Sequence, residues 1–188
     1  MWCDVSEWQA PGSVDFAKYD AVIIRASHGT TEDLHWRKHF DDTVAAGRRV
    51  GLYHFAEEHP SPAAQASFFH GLVGFLKPPQ VWAGFWLDGE PNNDDGDPWA
   101  GPNSPWVDQF RSAVALPWCG LYGNLSSFNT RCQAYMHFGL NWLAMPIGTT
   151  LPAGWAIPDH VLVQAGTVNG VDQDLPTVAQ PYPGAWAA

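Results

Sequence analysis

Residues 85–92 read Phe-Trp-Leu-Asp-Gly-Glu-Pro-Asn, an apolar run that stops at two carboxylates and a Pro-Asn turn. Apolar residues at consecutive positions are typical of a strand that is covered on both faces, as in a parallel sheet. Because side chains alternate along a strand, Asp88 and Glu90 point to the same side, with their Cα atoms about 7 Å apart. This stretch predicts a buried strand that presents two acidic side chains at its carboxyl end.

Short apolar runs of the same kind recur along the chain, each bounded by turn or polar residues. Runs of this length and composition predict buried strands. Together with the run just described, we predict eight strands: Trp2–Ser6, Ala21–Ala26, Val50–Phe55, Ala83–Asp88, Cys119–Gly123, Asn141–Met145, Val161–Ala165 and Gly170–Gln173.

Segments with helical spacing of apolar residues separate the earlier strands. Asp33–Gly47 ends at a glycine, which favours a helix stop, and Ser61–Leu76 begins with a Ser-Pro cap and first-turn proline. Ser104–Leu116, which also opens Ser-Pro, and Ser126–Phe138 are similar. After residue 140 only Pro- and Gly-rich connectors separate the last three strands, so we predict no helices there.

Five strand–helix units followed by three strands predict an α/β fold, a closed, parallel, TIM-like barrel that lacks its last outer helices. A complete eightfold barrel needs at least about 200 residues, whereas this chain has 188. We therefore predict one barrel domain over residues 1–175. The Pro- and Ala-rich residues 176–188 are predicted to form a strap or linker.

Composition excludes several classes of protein. With 9 Lys and Arg against 19 Asp and Glu, the net charge of −10 argues against nucleic-acid binding. No apolar run is long enough to span a membrane, and the N-terminus lacks the pattern of a secretory signal, so we expect synthesis in a cytoplasm. Cys3, Cys119 and Cys132 include no C-x-x-C pair, so we predict free thiols. The 11 Trp favour a surface that stacks on a ligand such as a sugar ring.

Two other predicted strands carry carboxylates. Asp4 lies in the first strand and Asp172 in the last, and these strands become neighbours when a barrel closes. In barrel enzymes the catalytic groups lie at the carboxyl ends of the strands. Two adjacent carboxylates resist simultaneous ionisation, which raises one pKa and supplies a general acid near neutral pH. The sequence therefore predicts an acidic active site.

Six motifs occur in order over residues 2–175: Asp4-Val-Ser-x-Trp-Gln, Val50-Gly-Leu-Tyr-His-Phe, Leu87-Asp-x-Glu, Gly120-Leu-Tyr, Asn141-Trp-Leu-Ala, and Gln164 followed by Gly170-Val-Asp. Together they resemble glycoside hydrolase family 25, the N-acetylmuramidases or lysozymes of bacteria and their phages. The resemblance implies a barrel of five strand–helix units plus three strands. It also implies cleavage of the β-1,4 bond from N-acetylmuramic acid to N-acetylglucosamine in peptidoglycan.

The resemblance further implies roles for individual residues. Glu90 would be the general acid, and Asp88 would stabilise the cationic centre or an oxazolinium formed by the substrate's acetamido group. Asp4 and Asp172 would hydrogen-bond to that pair and tune it. The groove would be lined by Tyr53, Tyr122, Trp142 and Gln164. No metal or cofactor is implied, and retention and inversion of the anomer both stay open.

Three positions depart from the family pattern. Gly89 replaces a branched apolar residue, an aromatic after the sixth-strand motif is replaced around Met145-Pro146, and the closing Val-Asp-x-Asn becomes Val171-Asp-Gln-Asp174. The main alternative is an inactive glycan-binding domain of the same fold, against which the retained carboxylates argue. A peptidoglycan amidase is a second alternative, but it would need a zinc site that the sequence lacks.

The histidines leave two choices open. His35 and His39 are one helical turn apart, which fits a metal pair or, more simply, two surface histidines. His54 would either contact substrate or be a hydrogen-bonded core histidine. We expect a monomer of the phage-lysin type that acts on peptidoglycan strands, with a wall-binding module joined to it through residues 176–188.

Overall fold

The structure is a computed structural model that describes residues 1–76, 81, 83–90, 105–116, 119–124, 141–144 and 161–176. Within these residues the chain alternates strands and helices up to residue 124, and strands alone follow. The predicted helix 126–138 and the predicted linker after residue 176 lie outside the described residues. So do Cys132 and the side chain of Cys119, whereas Cys3 is buried and free, as predicted.

Nine strands form one sheet, and they include all eight predicted strands. Because β1 pairs with both β2 and β9, the sheet curls until its strand pairing closes in a ring. The ninth strand, β3, is a short extension that pairs only with β2. The strands are β1 (Trp2–Val5), β2 (Ala21–His28), β3 (Thr31–Glu32), β4 (Arg49–Phe55), β5 (Phe85–Asp88), β6 (Cys119–Asn124), β7 (Asn141–Ala144), β8 (Val161–Val168) and β9 (Val171–Pro176).

The prediction of an all-parallel ring is wrong for its last strand. From β1 through β8 the ring strands pair in parallel, but β9 is antiparallel to both β8 and β1. The cause is local: Asn169 and Gly170 alone connect β8 to β9, and both have positive φ (53° and 76°). A two-residue turn of this kind reverses the chain, whereas a parallel pair needs a long crossover.

Three predicted helices are confirmed: α1 (Trp36–Ala45), α2 (Pro62–Val73) and α3 (Trp106–Val114). Ser61 caps α2 as predicted, accepting a hydrogen bond from the Ala64 N–H at 3.4 Å. At α3 the N-cap is Pro105, whose side chain has no hydrogen-bond acceptor with which to cap the helix. The first connection holds a short 3-10 helix (Phe16–Lys18) instead of an α-helix. None of the described helices is long and apolar enough to cross a membrane.

Both faces of the sheet are buried, which explains why its strands are apolar at consecutive positions. The outward face packs against the helices through residues such as Leu52, Leu87, Phe69 and Phe110. A second apolar cluster contains no helix residue and fills the inside of the ring. Its members are Trp2, Ala21, Ile23, Tyr53, Ala83, Trp86, Tyr122, Trp142 and Leu162. This inner cluster forms the floor on which the candidate site is built.

Candidate active site

The eight site residues that the sequence predicted all line one open pocket at the carboxyl edge of the parallel strands. They reach it from seven strands and from the segment after β5, because side chains at alternate positions point inside the ring. Four residues that the sequence did not single out as site residues complete the lining. In full, the pocket, called here the acidic pocket, is lined by Asp4, Ser6, Trp8, Gln9, Tyr53, Phe55, Asp88, Glu90, Tyr122, Trp142, Gln164 and Asp172.

Asp88 and Glu90 are held together where β5 ends. Asp88 is the last residue of β5 and is buried, whereas Glu90 is half-buried, and its backbone N–H donates to Asp88 Oδ1 at 3.1 Å. Burial raises the pKa of the Asp88 carboxyl well above its usual value, and the neighbouring Glu90 raises it further. The two groups therefore resist simultaneous ionisation, as the spacing predicted, and together they retain a proton to higher pH than isolated carboxyls do.

A hydrogen-bonded chain links three strands across the pocket. The Tyr122 hydroxyl donates to Gln164 Oε1 at 2.6 Å, and Gln164 Nε2 donates to Asp4 Oδ2 at 3.2 Å. Loss of hydration raises the pKa of Asp4 well above its usual value, and Asp174 and Asp172 raise it further. The amide of Gln164 can only donate to one neighbour and accept from the other, so this chain fixes the orientation of all three side chains.

Asp172 faces Asp4 directly across the β1–β9 ladder, and its carboxyl accepts a hydrogen bond from the Thr167 hydroxyl. One layer deeper lies Asp174, which is fully buried and accepts from the Trp142 indole N–H at 2.8 Å. Burial raises the pKa of Asp174 to about 7. Asp174 was not among the predicted site residues. The i, i+2 spacing that joined Asp88 to Glu90 would have identified it.

The floor of the acidic pocket is aromatic. The Trp142 ring lies 4.3 Å from the ring of Tyr122, 5.7 Å from that of Trp86 and 6.0 Å from that of Tyr53, measured between centroids. Burial, aided by nearby carboxylates, raises the pKa of the Tyr53 and Tyr122 phenols. Both phenols therefore stay protonated and act as hydrogen-bond donors near neutral pH.

A buried cation lies beside the acidic pocket. Arg25, on β2, is 8% exposed, and its guanidinium donates to Asp33 at 2.8 Å and to Glu7 at 2.7 Å. Its charge acts against the rise in the pKa of Asp88. Sequence reasoning overlooked Arg25, although a charged residue inside the apolar run 21–26 is itself a signal, because an unpaired charge is costly to bury.

His54 has a structural role. His54 is fully buried between the sheet and two helices, stacks on Phe110, and does not line the acidic pocket. Its Nε2–H donates to Gln65 Oε1 at 3.1 Å, its Nδ1 lies 2.8 Å from the Ser27 hydroxyl, and burial lowers its pKa to about 4. The core alternative is therefore confirmed for His54.

His39 is buried as well, so the interpretation as a surface histidine is wrong for it. Its Nε2 lies 3.0 Å from the Gln9 carbonyl oxygen, which ties α1 to the segment after β1. Its ring makes an edge contact with His35, 6.1 Å away between centroids. Across the described ranges, no group of three or more His, Cys, Asp or Glu side chains is placed to hold a metal ion.

The enzyme class of this protein follows from its similarity to a known family. Residues 3–144, which carry ten of the twelve pocket residues, match the family described as Glycosyl hydrolases family 25. The protein is therefore an enzyme of the glycoside hydrolase class. Within that class the chain belongs to family 25, as its motifs predicted.

Several solved structures share the fold of this chain. A family 25 lysozyme from Aspergillus fumigatus is 25% identical, with 92% of this chain and 90% of that one covered and a TM-score of 0.75. A muramidase from Trichobolus zukalii is 23% identical, with 93% and 91% covered and a TM-score of 0.77. The CTP1L endolysin is 22% identical, with 92% and 63% covered and a TM-score of 0.61. A search of the curated proteins gave no match.

Proposed function

We propose that this glycoside hydrolase is an N-acetylmuramidase, which hydrolyses the β-1,4 bond from N-acetylmuramic acid to N-acetylglucosamine in bacterial peptidoglycan. One observation carries the proposal: four carboxylates from three strands converge on one aromatic-floored pocket. Charge of this kind stabilises an oxocarbenium-like transition state, and an aromatic floor suits sugar rings. The family match and the names of the structural neighbours point to the same substrate.

In this mechanism Glu90 is the general acid. It is the more exposed member of the Asp88–Glu90 pair, so its carboxyl can reach the leaving oxygen of a bound glycan. Asp88 stabilises the cationic centre, or an oxazolinium formed by the substrate's own acetamido group. Because the two carboxyls resist simultaneous ionisation, the pair can hold one proton, which Glu90 delivers to the leaving oxygen of the sugar.

Asp4 and Asp172 tune the pair from the opposite wall. Their carboxyl oxygens favour a cation at the centre of the pocket, and the Gln164 amide keeps Asp4 oriented towards it. Tyr53, Tyr122, Trp142 and Gln164 line the groove, in which the Tyr53 hydroxyl donates a hydrogen bond to the substrate, whereas the Tyr122 hydroxyl is already bonded to Gln164. No step needs a metal ion or cofactor, so EDTA should leave the activity unchanged.

The decisive experiment is digestion of purified peptidoglycan followed by borohydride reduction and mass spectrometry. A muramidase produces new reducing ends on muramic acid and leaves the stem-peptide amide intact. New ends on glucosamine would indicate a different glycosidase, and free peptides without new sugar ends would indicate an amidase. Binding with no cleavage at all would indicate the inactive glycan-binding alternative. The Glu90→Gln variant is the matched negative control.

We also propose a TIM-like barrel of five strand–helix units over residues 1–175, in which residues 126–138 form a fourth α-helix after α1, α2 and α3. Residues 177–188, which are the predicted linker without Pro176 because that residue ends β9, are proposed to link this domain to a wall-binding module, in a monomeric lysin that acts on the bacterial cell wall. The CTP1L endolysin extends beyond the part that this chain covers, which is consistent with such a module. Removal of residues 177–188 should leave turnover on soluble glycan strands unchanged, and loss of folding by circular dichroism would contradict the linker.

A further inference from the structure

Trp8 is the most exposed large hydrophobic side chain in the part of the chain that the structure describes. It is 80% exposed, and it also lines the acidic pocket at its rim. A tryptophan in this position leaves a large apolar ring in water, which is unfavourable by about 25 cal/mol per Å² of apolar surface. Surface of this kind beside a polar pocket commonly marks a contact site.

The segment that carries Trp8, residues 6–9, is internally ordered. The Ser6 backbone N–H donates to Gln9 Oε1 at 2.9 Å, and the Gln9 N–H donates back to the Ser6 carbonyl at 3.1 Å. The Trp8 N–H faces the Ser6 hydroxyl at 3.4 Å. These bonds form a tight turn directly after β1 that points the indole outward.

Three further hydrogen bonds fix the same turn to the rest of the fold. The Glu7 N–H donates to Asp33 at 3.0 Å, and the Gln9 carbonyl lies 3.0 Å from His39 Nε2. Gln9 Nε2 donates to the Gly170 carbonyl in the β8–β9 turn at 2.9 Å. The turn is thus anchored to two separate parts of the molecule, so the backbone that carries the exposed indole is held at a fixed place on the rim.

We propose that Trp8 is the stacking platform of an additional sugar subsite at the rim of the acidic pocket, where it binds an uncharged N-acetylhexosamine ring of the glycan strand. This inference rests on the proposed function and extends it. A pyranose ring has a flat C–H face that packs on an indole, and a tryptophan side chain has only two rotatable χ angles to order when it binds.

The negative charge of the acidic pocket determines which kind of sugar ring Trp8 binds. Asp4, Asp88, Glu90 and Asp172 make the neighbouring pocket acidic, and the chain as a whole carries a net charge of −10. An anionic group next to these carboxylates would be repelled. N-acetylglucosamine, which has no charged substituent, is therefore favoured over a sugar with a free carboxylate.

The test compares Trp8→Ala and Trp8→Phe with wild type and with Phe75→Ala. Phe75 is 64% exposed and does not line the pocket, so it is a matched control for loss of a surface aromatic. Kinetics are measured on soluble, uncrosslinked glycan strands and on the shortest strand that wild type cleaves. We expect Trp8→Ala to raise KM on long strands about three- to tenfold, with kcat unchanged. Trp8→Phe should recover most of this loss, and Phe75→Ala should behave as wild type.

A direct binding measurement separates the platform from catalysis. In the Glu90→Gln background, calorimetry with chitotetraose should give a several-fold weaker Kd once Trp8 is changed to alanine. Unchanged KM and Kd in Trp8→Ala would overturn the platform while leaving the proposed function intact, because wild type would still cleave. Absence of muramic reducing ends with wild type would instead refute the proposed function. Equal losses on long and shortest strands, with a lowered Tm, would assign Trp8 a structural role and also overturn the platform.

Discussion

At the scale of single residues, the central question is where the proton of the Asp88–Glu90 pair resides. Asp88 is buried and Glu90 is half-buried, so charge on Asp88 loses more hydration. The nearby Arg25 guanidinium compensates in part, because it favours the ionised form of Asp88. In this pair, Asp88 is buried and its charged form is favoured by Arg25. Glu90 is more accessible and can contact the substrate.

Replacing Glu90 by glutamine tests the acid directly. Glutamine keeps the size of the side chain but cannot deliver a proton, so the leaving oxygen must depart unassisted. General acid catalysis contributes about 10² to 10⁴ in rate, and the loss of turnover should be at least of that order. The measurement is turnover on purified peptidoglycan, with circular dichroism as the folding control. A folded variant within about threefold of wild type would refute this assignment.

Asp88→Asn removes the negative charge beside the cationic transition state. Turnover should fall by about 10² or more, while the fold stays intact because asparagine has nearly the same shape. The neighbouring carboxyl then loses a like charge that opposes its ionisation, so the alkaline limb of the residual activity should move to lower pH. The pH–rate profile of the variant is the measurement. An alkaline limb that stays in place would mean that the two carboxyls are not coupled.

Asp174 should make the stability of the protein depend on pH. Its pKa in the folded protein is about 7, against 3.8 for the free side chain, so the folded state holds the proton more tightly than the unfolded chain does. The stability that this protonated side chain contributes is therefore lost progressively as pH rises from about 4 through 7. Asp174→Asn keeps an acceptor for Trp142 and removes the charge. The variant should therefore gain Tm relative to wild type, by about 5 °C or more at pH 8 and by little at pH 4.

Asp41→Asn, at an exposed position of α1, is the control for this experiment and should leave the pH dependence unchanged. A Tm difference between Asp174→Asn and wild type that is the same at every pH would show that Asp174 is not a buried titrating group.

At the scale of elements, two glycines illustrate how position decides the effect of the same change. Gly170 lies in the β8–β9 turn with φ of 76°, a conformation that L-residues rarely adopt, whereas Gly71 is exposed on α2. A methyl group at either position meets no atom within 4 Å. A methyl group therefore clashes with neighbouring atoms at neither glycine, and the two positions differ only in their backbone conformation.

The prediction is that alanine destabilises the turn and stabilises the helix. Gly170→Ala should lower the free energy of unfolding by about 1 kcal/mol or more, because alanine is strained at positive φ. Gly71→Ala should raise it by about 0.5 to 1 kcal/mol, because alanine is a better helix former. Urea unfolding of both variants measures the two changes, and the same sign for both would contradict the account.

At the scale of the whole molecule, His54 makes the packing of the helices on the sheet sensitive to acid. It lies on β4 between Ser27 of β2, Gln65 of α2 and Phe110 of α3, and its ring is neutral. Its pKa is lowered from 6.5 to about 4 by burial. The unfolded chain therefore takes up a proton first, and stability is lost as pH falls from about 6.5 towards 4.

Between pH 7 and pH 4, His54 alone is expected to lower the free energy of unfolding by about 3 kcal/mol. In His54→Gln the slope of unfolding free energy against pH in this range should be smaller, whatever the stability of the variant at pH 7. His59→Gln, an exposed histidine, is the control and should keep the wild-type slope. A wild-type slope in His54→Gln would mean that another group causes the acid sensitivity.

Much of the molecule follows from local sequence. The apolar runs predicted all eight strands of the ring, since a strand that is buried on both faces must be apolar at consecutive positions. Ser61-Pro62 predicted the start of α2 for an equally local reason, because a cap and a first-turn proline act within one helical turn. The motifs that resemble family 25 identified eight residues that line the acidic pocket.

The tertiary structure decided what depends on distant neighbours. The antiparallel direction of β9 could have been predicted from Asn169-Gly170, because a two-residue turn of this kind joins antiparallel strands. The prediction of a parallel barrel did not use this local signal. The depth of Asp174, the pairing of Arg25 with Asp33 and Glu7, and the burial of His39 and His54 were not available from spacing. Burial, pKa and the exposure of Trp8 depend on which atoms surround a side chain. Those atoms come from strands and helices far apart in the chain, so only the folded arrangement determines them.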